Sequence, residues 1–331
     1  MDYIFVTTIL IVITSLIFDF INGFHDTANA IATSVSTKAL KPRHAIFLAA
    51  VMNFLGALTF TGVAQTITKD IVDPFTLANG SVVIISALLA AILWNLITWY
   101  FGIPSSSSHA IIGAIAGAAI AASGFGAIKY SGFLKIIESL IFSPILAFIV
   151  GYIIYSVFKV IFKENNLAKT NRRFRFIQVI TAAVQAYSHG TNDAQKSMGI
   201  ITMALIANHY HTSTDIPLWV QVSCAAAMGL GTSVGGWKII KTVGGKIMKI
   251  KPVNGVSADI SSALVIFGAT YIHLPVSSTH VISSSILGVG SAHRIRGVKW
   301  DTARRMVITW IITLPISAAL AAIIFSILNL F

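Results

Sequence analysis

Charged side chains are scarce in this chain of 331 residues, where Asp, Glu, Lys and Arg together make up 10% and only 11 residues are acidic. Soluble domains carry about 25% charged residues because their surface is hydrated. Several long stretches contain no charged residue at all: 44–68, 74–128, 216–237, 260–292 and 306–331. Since roughly 20 apolar residues cross the hydrocarbon core as a helix, these stretches predict several membrane-spanning segments.

The chain also lacks the marks of other protein classes. Its apolar stretches show no period-two alternation of the kind that indicates a transmembrane β-barrel, so the predicted fold class is an all-α polytopic membrane protein. A single cysteine, Cys224, excludes an intrachain disulfide. The net charge of +12 comes from cations in short loops between apolar stretches, which is typical of basic cytoplasmic loops. We therefore expect the lipid bilayer as a partner, and no nucleic acid.

The same short motifs occur twice in the same order. Three motifs of the first half recur in the second half at nearly one separation: NGFHD at 22–26 and HGTND at 189–193, NG at 79–80 and 254–255, and GIPSSSSH at 102–109 and HLPVSSTH at 273–280. Internal repeats of this kind indicate duplicated structural units. We predict a first repeat over 1–165, a basic linker over 166–175 and a second repeat over 176–331.

Equivalent loops of the two halves differ in basic residues. The loop at 38–43 holds three Lys or Arg residues and its counterpart at 205–217 holds none, whereas 68–79 holds one and its counterpart at 238–251 holds five. Because basic loops remain in the cytoplasm, this alternation predicts an inverted-topology repeat, which is typical of secondary transporters. The linker at 159–175 is then cytoplasmic, and both termini lie outside the cell (inner or plasma) membrane.

Two aspartates occupy equivalent polar interruptions of apolar sequence. Asp26 lies in the interruption 22–29, and Asp193 lies in the interruption 188–196. A charged group at membrane depth is costly and calls for a functional reason. The glycine before each aspartate, with amide side chains nearby, predicts a broken helix whose oxygens bind a hard cation such as Na⁺, or whose carboxylate binds a proton. The alternative is that each aspartate only caps a helix.

A proline followed by hydroxyl residues also occurs in both halves. Pro104 and Pro275 suit the first turn of a helix. Behind them follow the candidate anion ligands Ser105, Ser106, Ser107 and Ser108, and Ser277, Ser278 and Thr279. Hydroxyl donors together with a helix N-terminus form a binding site for a tetrahedral oxyanion. The alternative is close packing of small polar residues between membrane helices.

At these residues the chain resembles the inorganic phosphate transporter (PiT) family of phosphate permeases. The matching strings are GFHDTANA at 23–30, GTNDAQK at 190–196 and both Pro-Ser motifs, and the likeness covers nearly the whole chain. The resemblance implies an inverted-repeat symporter, often dimeric, that takes up phosphate with Na⁺ or H⁺. It implies re-entrant hairpins at 104–123 and 275–292. It also places the coupling-cation residues, Asp26, Asn29, Asn192 and Asp193, at one centre, with Asp26 and Asp193 as the direct Na⁺ ligands.

One position departs from the pattern of the sodium-coupled members, in which both copies read Asn-Asp-x-x-Asn. Here the position in the second repeat that is equivalent to Asn29 is occupied by Lys196. A buried ammonium near Asp193 would replace one Na⁺ or contact phosphate, and the alternative is a lysine that snorkels to the membrane surface. This favours H⁺ slightly over Na⁺ and resembles permeases that carry phosphate with protons or as a metal–phosphate complex. We add Lys196 and Thr27 to the predicted substrate-binding residues.

Several other functions compete with phosphate symport. Sulfate is the nearest alternative substrate, but it has no proton to donate to a carboxylate, which favours phosphate beside Asp26 and Asp193. A passive anion channel is not excluded by sequence. A membrane enzyme is disfavoured because the Ser and Asp groups are duplicated and neither a metalloprotease motif nor a P-loop occurs; we expect no cofactor. Asp19 has Ala186 as its counterpart and receives less weight.

Overall fold

The structure is a computed structural model that describes residues 3–73, 79–163 and 167–330. Within these ranges the chain forms thirteen α-helices and two short 3-10 helices. The helices of the first half are α1 (Tyr3–His25), α2 (Thr27–Ser36), α3 (Pro42–Ala57), α4 (Gly62–Asp70), α5 (Gly80–Phe101), α6 (Ser107–Ser123) and α7 (Tyr130–Ile161). Those of the second half are α8 (Leu167–Ala207), α9 (Leu218–Val234), α10 (Trp237–Gly245), α11 (Pro252–Tyr271), α12 (Ser278–Arg294) and α13 (Trp300–Leu328). The all-α prediction is confirmed.

The lengths and surfaces of the helices are those of a multi-pass membrane protein. Five segments of the described chain are long and apolar enough to cross a membrane, or up to seven when each bent helix pair counts as one span. On α7 and α13 large aliphatic and aromatic side chains such as Ile141, Phe142 and Ile311 are exposed. Serine, threonine, asparagine and aspartate side chains are buried instead. Lipid solvates an apolar exterior of this kind, and the polar groups line the interior.

Helices recur in the second half in the order of the first. The pair α3–α4 bends by 67° and the pair α9–α10 by 74°, and each pair is followed by a long helix, a short helix of 17 residues (α6 and α12), a 3-10 turn and a helix with an internal proline. Helix α6 packs against α13, and α12 packs against α7. The opposite orientation of the halves and the boundaries 1–165 and 176–331 stay predictions.

The predicted linker has helical structure where it is described. Residue 166 lies outside the described residues, as do 164 and 165, whereas 167–175 form the beginning of α8. The basic region at 159–175 therefore includes the last turn of α7 and the first turns of α8. Its cytoplasmic position stays a prediction.

A helix boundary lies at one of the two aspartates where we predicted a break, since α1 ends at His25 and α2 begins at Thr27. Asp26 has a helical backbone, and its N–H donates to the Asn22 carbonyl at 2.8 Å, so α1 and α2 meet at a local irregularity. Helix α8 is continuous across 188–196. The glycines at these sites permit close helix packing instead: a Cβ on Gly190 would lie 2.3 Å from the Asn53 carbonyl oxygen, and one on Gly23 would lie 2.4 Å from that of Met228.

Replacing Gly190 by Ala therefore tests the close approach of α8 and α3. We expect the free energy of unfolding to fall by about 1–3 kcal/mol because the added methyl overlaps the backbone of α3. Gly268→Ala on α11 is the matched control, since a Cβ there meets nothing within 4 Å. The measurement is thermal unfolding of both variants in detergent. Equal melting temperatures for Gly190→Ala and the wild type would contradict the role of Gly190 in packing.

The Pro-Ser segments turn the chain back against the preceding helix. The chain leaves α5 through Gly102 at φ 64° and leaves α11 through His273 at φ 61°, and α5 packs on α6 as α11 packs on α12. Each hairpin thus has α5 or α11 as its first arm, so 104–123 and 275–292 cover only the second arm. At 1.5 Å rise per residue α6 and α12 are about 25 Å long. The re-entrant path of these hairpins in a membrane stays a prediction.

Candidate functional site

The hydroxyl residues of both Pro-Ser segments lie at the N-termini of α6 and α12, fully buried. Ser106 and Ser277 are the N-caps, and their hydroxyl oxygens accept from the N–H of His109 at 3.1 Å and of His280 at 3.3 Å. The prolines stand before these caps rather than in the first turn, which corrects the position we predicted for them. The first-turn residues of each helix consequently present their hydroxyls to the other helices of the interior.

Asp26 receives donors from both halves of the chain. The Ser107 hydroxyl on α6 donates to Oδ2 of Asp26, and the Thr279 hydroxyl on α12 donates to Oδ1 at 3.0 Å. Nδ1 of His25 lies 2.6 Å from the same Oδ1. Asn29 donates from Nδ2 to the Thr279 hydroxyl at 2.8 Å. The carboxylate is thus held by hydroxyls from both Pro-Ser segments, a contact that the sequence analysis did not predict.

Asp193 lies in an equivalent cluster on α8. The Ser278 hydroxyl donates to Oδ2 at 2.6 Å, and Nε2 of His189 lies 3.0 Å from the same oxygen. The Lys196 ammonium donates to Oδ1. Lys196 is fully buried, which excludes the snorkelling alternative. A buried ion pair of this kind needs such additional hydrogen bonds to satisfy its remaining lone pairs.

The two clusters form one centre because neighbouring residues of α12 bind both carboxylates. Ser278 donates to Asp193 and Thr279 donates to Asp26. The Ser108 hydroxyl also donates to the carbonyl of Val276 at 2.8 Å, which connects the two Pro-Ser segments directly. Most of the predicted site residues, separated by well over a hundred positions in sequence, are thereby brought together.

Three of the predicted residues lie at the margin of this centre or away from it. Ser105 donates to the Thr98 hydroxyl on α5 at 2.7 Å. Asn192 accepts from the Val276 N–H at 3.2 Å and so positions the segment before α12. Thr27 instead accepts from Asn53 of α3 at 2.8 Å and lies 3.2 Å from the Thr232 hydroxyl of α9. The structure therefore does not bring Thr27 to the hydroxyls of α6 and α12.

Several buried polar groups were not singled out by sequence reasoning. Asn22 accepts from Ser107 at 3.0 Å, and Thr98 lies 3.2 Å from Nε2 of His25. His189 precedes Asp193 by four residues, the helical spacing that would have signalled their contact. Asp259 on α11 accepts from Thr33 at 2.6 Å and Thr181 at 2.9 Å. Its signal was a lone charge inside an otherwise apolar segment.

This site and fold match proteins of one family. The model of the phosphate transporter family matches residues 22–321. The chain belongs to the phosphate transporter family. A probable low-affinity inorganic phosphate transporter of Bacillus subtilis is 76% identical over 331 residues, covering 100% of this chain and 99% of the relative. One of Rhizobium meliloti with the same description is 42% identical over 315 residues, covering 95% and 94%.

A solved structure of the sodium-dependent phosphate transporter has the same fold, with a TM-score of 0.88 at 25% identity over 98% of this chain and 100% of the other. The membership makes the protein a multi-pass membrane protein of a transporter family rather than an enzyme, and it makes phosphate the substrate of that family. The predicted resemblance to phosphate permeases is confirmed. The coupling cation, the assembly and the roles of single residues belong to the proposal that follows.

Proposed function

We propose that this protein carries inorganic phosphate across the cytoplasmic membrane together with a coupling cation, as a secondary active symporter. The observation that carries the proposal is the meeting of both Pro-Ser helices at two buried carboxylates from different halves. Hydroxyls of Ser107, Ser278 and Thr279 donate there. The helix N-termini add N–H groups and partial positive charge for an anion.

The hydroxyls supply donors that phosphate oxygens accept. A serine or threonine hydroxyl rotates freely and exchanges one acceptor for another at little cost. Monohydrogen phosphate also has a proton to donate to Asp26 or Asp193, whereas sulfate would meet both carboxylates with lone pairs only. The same carboxylates therefore favour phosphate over sulfate.

A cation completes the charge balance of the centre. Asp193 pairs with the ammonium of Lys196, Asp26 is a second buried carboxylate, and a phosphate adds further negative charge. Oδ1 of Asn29 is buried and has no hydrogen-bond partner within the described ranges, so it can join Asp26 as an oxygen ligand for Na⁺, or Asp26 can take a proton. In the second repeat the Lys196 ammonium supplies the positive charge beside Asp193 in place of a bound cation. This asymmetry favours H⁺ over a pair of sodium ions and also suits a metal–phosphate complex.

The packing supports the membrane arrangement that we predicted. The proline-containing helix α7 of the first half packs against α12 of the second half, and α13 of the second half packs against α6 of the first. A two-fold relation between the repeats would produce this reciprocal packing. From the distribution of basic loops we propose both termini outside the cell and the region 159–175 in the cytoplasm, and from the family resemblance we propose a homodimer as the assembly in the membrane.

The test is labelled-phosphate uptake into proteoliposomes. One arm imposes a pH gradient without Na⁺, the other a Na⁺ gradient without a pH gradient, and each includes excess sulfate as competitor. Accumulation above the equilibrium level, resisted by sulfate, is the expected result. Uptake that only equilibrates would make the protein a channel, and uptake suppressed by sulfate would make it a sulfate permease.

The proposed roles of the hydroxyls can be separated by two matched variants. We expect Ser278→Ala to lower phosphate uptake about 10- to 100-fold, the effect of losing a hydrogen bond to a charged group. Thr27→Val, whose hydroxyl is bound to Asn53 and Thr232, is expected to leave uptake within about threefold of the wild type because a neutral hydrogen bond is weaker. Initial uptake rates at equal protein density compare the two, and a larger loss for Thr27→Val would contradict the assignment.

A further inference from the structure

A third buried carboxylate lies on α1 outside the centre described above. Asp19 is fully buried, and it precedes Asp26 by seven residues, which places both on one face of the helix after two turns. Its counterpart in the second repeat is the buried Ala186. The proposed binding of phosphate leaves this carboxyl group without a role.

The surroundings of Asp19 contain charge but few donors. Asp193 and Lys196 of α8 lie within electrostatic range, and Ser197 of α8 and Cys224 of α9 lie beside the carboxyl. Yet neither oxygen of Asp19 has a hydrogen-bond partner in the part of the chain that the structure describes. Among the other helices packed on α1, α5 and α2 contain no Asp, Glu, Lys, Arg or His; α1 itself adds only His25, and Asp26 follows it.

An ionised carboxylate without donors in a dry interior is strongly disfavoured. The nearest cation, Lys196, is already bound to Asp193. A proton bound to Asp19 would remove this cost, because the neutral acid needs no counter-charge.

We propose that Asp19 binds the coupling proton. This rests on the proposed phosphate symport and assigns its coupling site. A proton from water on the entry side binds Asp19 while Lys196 pairs with Asp193. When the site opens to the exit side, the same proton leaves to water there. Since Ala186 replaces Asp19 in the second repeat, one such proton moves per cycle.

The test compares two reactions of Asp19→Asn in proteoliposomes. Exchange of labelled for unlabelled phosphate at equal pH needs no net proton movement, and we expect it to stay within about threefold of the wild type, since neutral Asn resembles the protonated acid. Accumulation driven by a pH gradient should fall at least about tenfold, with a matching loss of proton flux per phosphate read by an internal pH dye. Asp19→Glu should restore both. Asp301→Asn, an exposed acid on α13, is the control.

The outcomes separate the possible causes. Wild-type accumulation and proton flux in Asp19→Asn would overturn the inference. Equal loss of exchange and accumulation, without rescue by Asp19→Glu, would assign Asp19 a structural role and overturn it as well. Absence of phosphate uptake by the wild type itself would refute the proposed function, and the inference with it, whatever the variants do.

Discussion

Asp26→Asn is expected to lower phosphate uptake about 100-fold or more, because it removes the charge that a bound cation or the phosphate proton would meet. The variant should still fold, since the amide oxygen can accept from Ser107 or Thr279 as the carboxylate does. Measurement of initial uptake in proteoliposomes, beside the melting temperature in detergent, separates function from folding.

Asp26 is a sharper test than Asp193. Asp193→Asn would leave the buried ammonium of Lys196 without its carboxylate, which destabilises proteins by about 3–5 kcal/mol. Loss of uptake in that variant would confound folding with transport. Asp301→Asn again serves as the control for removing one acidic group. Uptake within about threefold of the wild type in Asp26→Asn would be incompatible with a role of Asp26 in transport.

Lys196→Asn is expected to make phosphate uptake depend on Na⁺. The substitution removes the cation that neutralises Asp193 and supplies an amide oxygen at the position that Asn29 holds beside Asp26. Asp193 would then need a new cation, and oxygen ligands suit Na⁺. We expect addition of Na⁺ at constant pH to raise the initial rate of phosphate uptake by the variant at least about tenfold, which corresponds to about 1.4 kcal/mol.

A second substitution at the same position provides the control. Lys196→Met removes the ammonium without adding an oxygen, so uptake should fall and Na⁺ should not restore it. Titration of uptake against Na⁺ for wild type, Lys196→Asn and Lys196→Met gives the comparison. Equal Na⁺ responses of the two variants would refute the substitution of Na⁺ by the lysine.

The sequence was sufficient for the fold class and for the family. Charge-free stretches required lipid around the helices, and duplicated motifs singled out the Pro-Ser and Asp segments. The hydrogen bonds from Ser107, Ser278 and Thr279 to Asp26 and Asp193 are known only from the structure. Thr27 was misplaced because adjacent helical residues differ in direction by about 100°, so a residue next to Asp26 faces α3 and α9 instead.

Other features depended on partners that are distant in sequence. From the sequence, Gly190 could either break a helix or permit two helices to pack closely. The position of Asn53 on α3 shows that it permits close packing. The burial of Lys196 depended likewise on the path of α8 through the interior. Asp19 received little weight because the repeat offers no counterpart, yet the charges that face it come from α8, far along the chain.

The adjacent positions of Ser278 and Thr279 on α12 affect how much of the ion gradient a cell would lose during transport. Because one rigid helix holds both carboxylates through neighbouring residues, a shift of α12 by about 1.5 Å, the rise of a single residue, loosens both together. Carriers that bind substrate and coupling ion at independent sites pass through states in which only the ion is bound and crosses the membrane without substrate. In the proposed symport, a shared support of this kind would remove those states, and the ion gradient of the membrane would not be dissipated between turnovers.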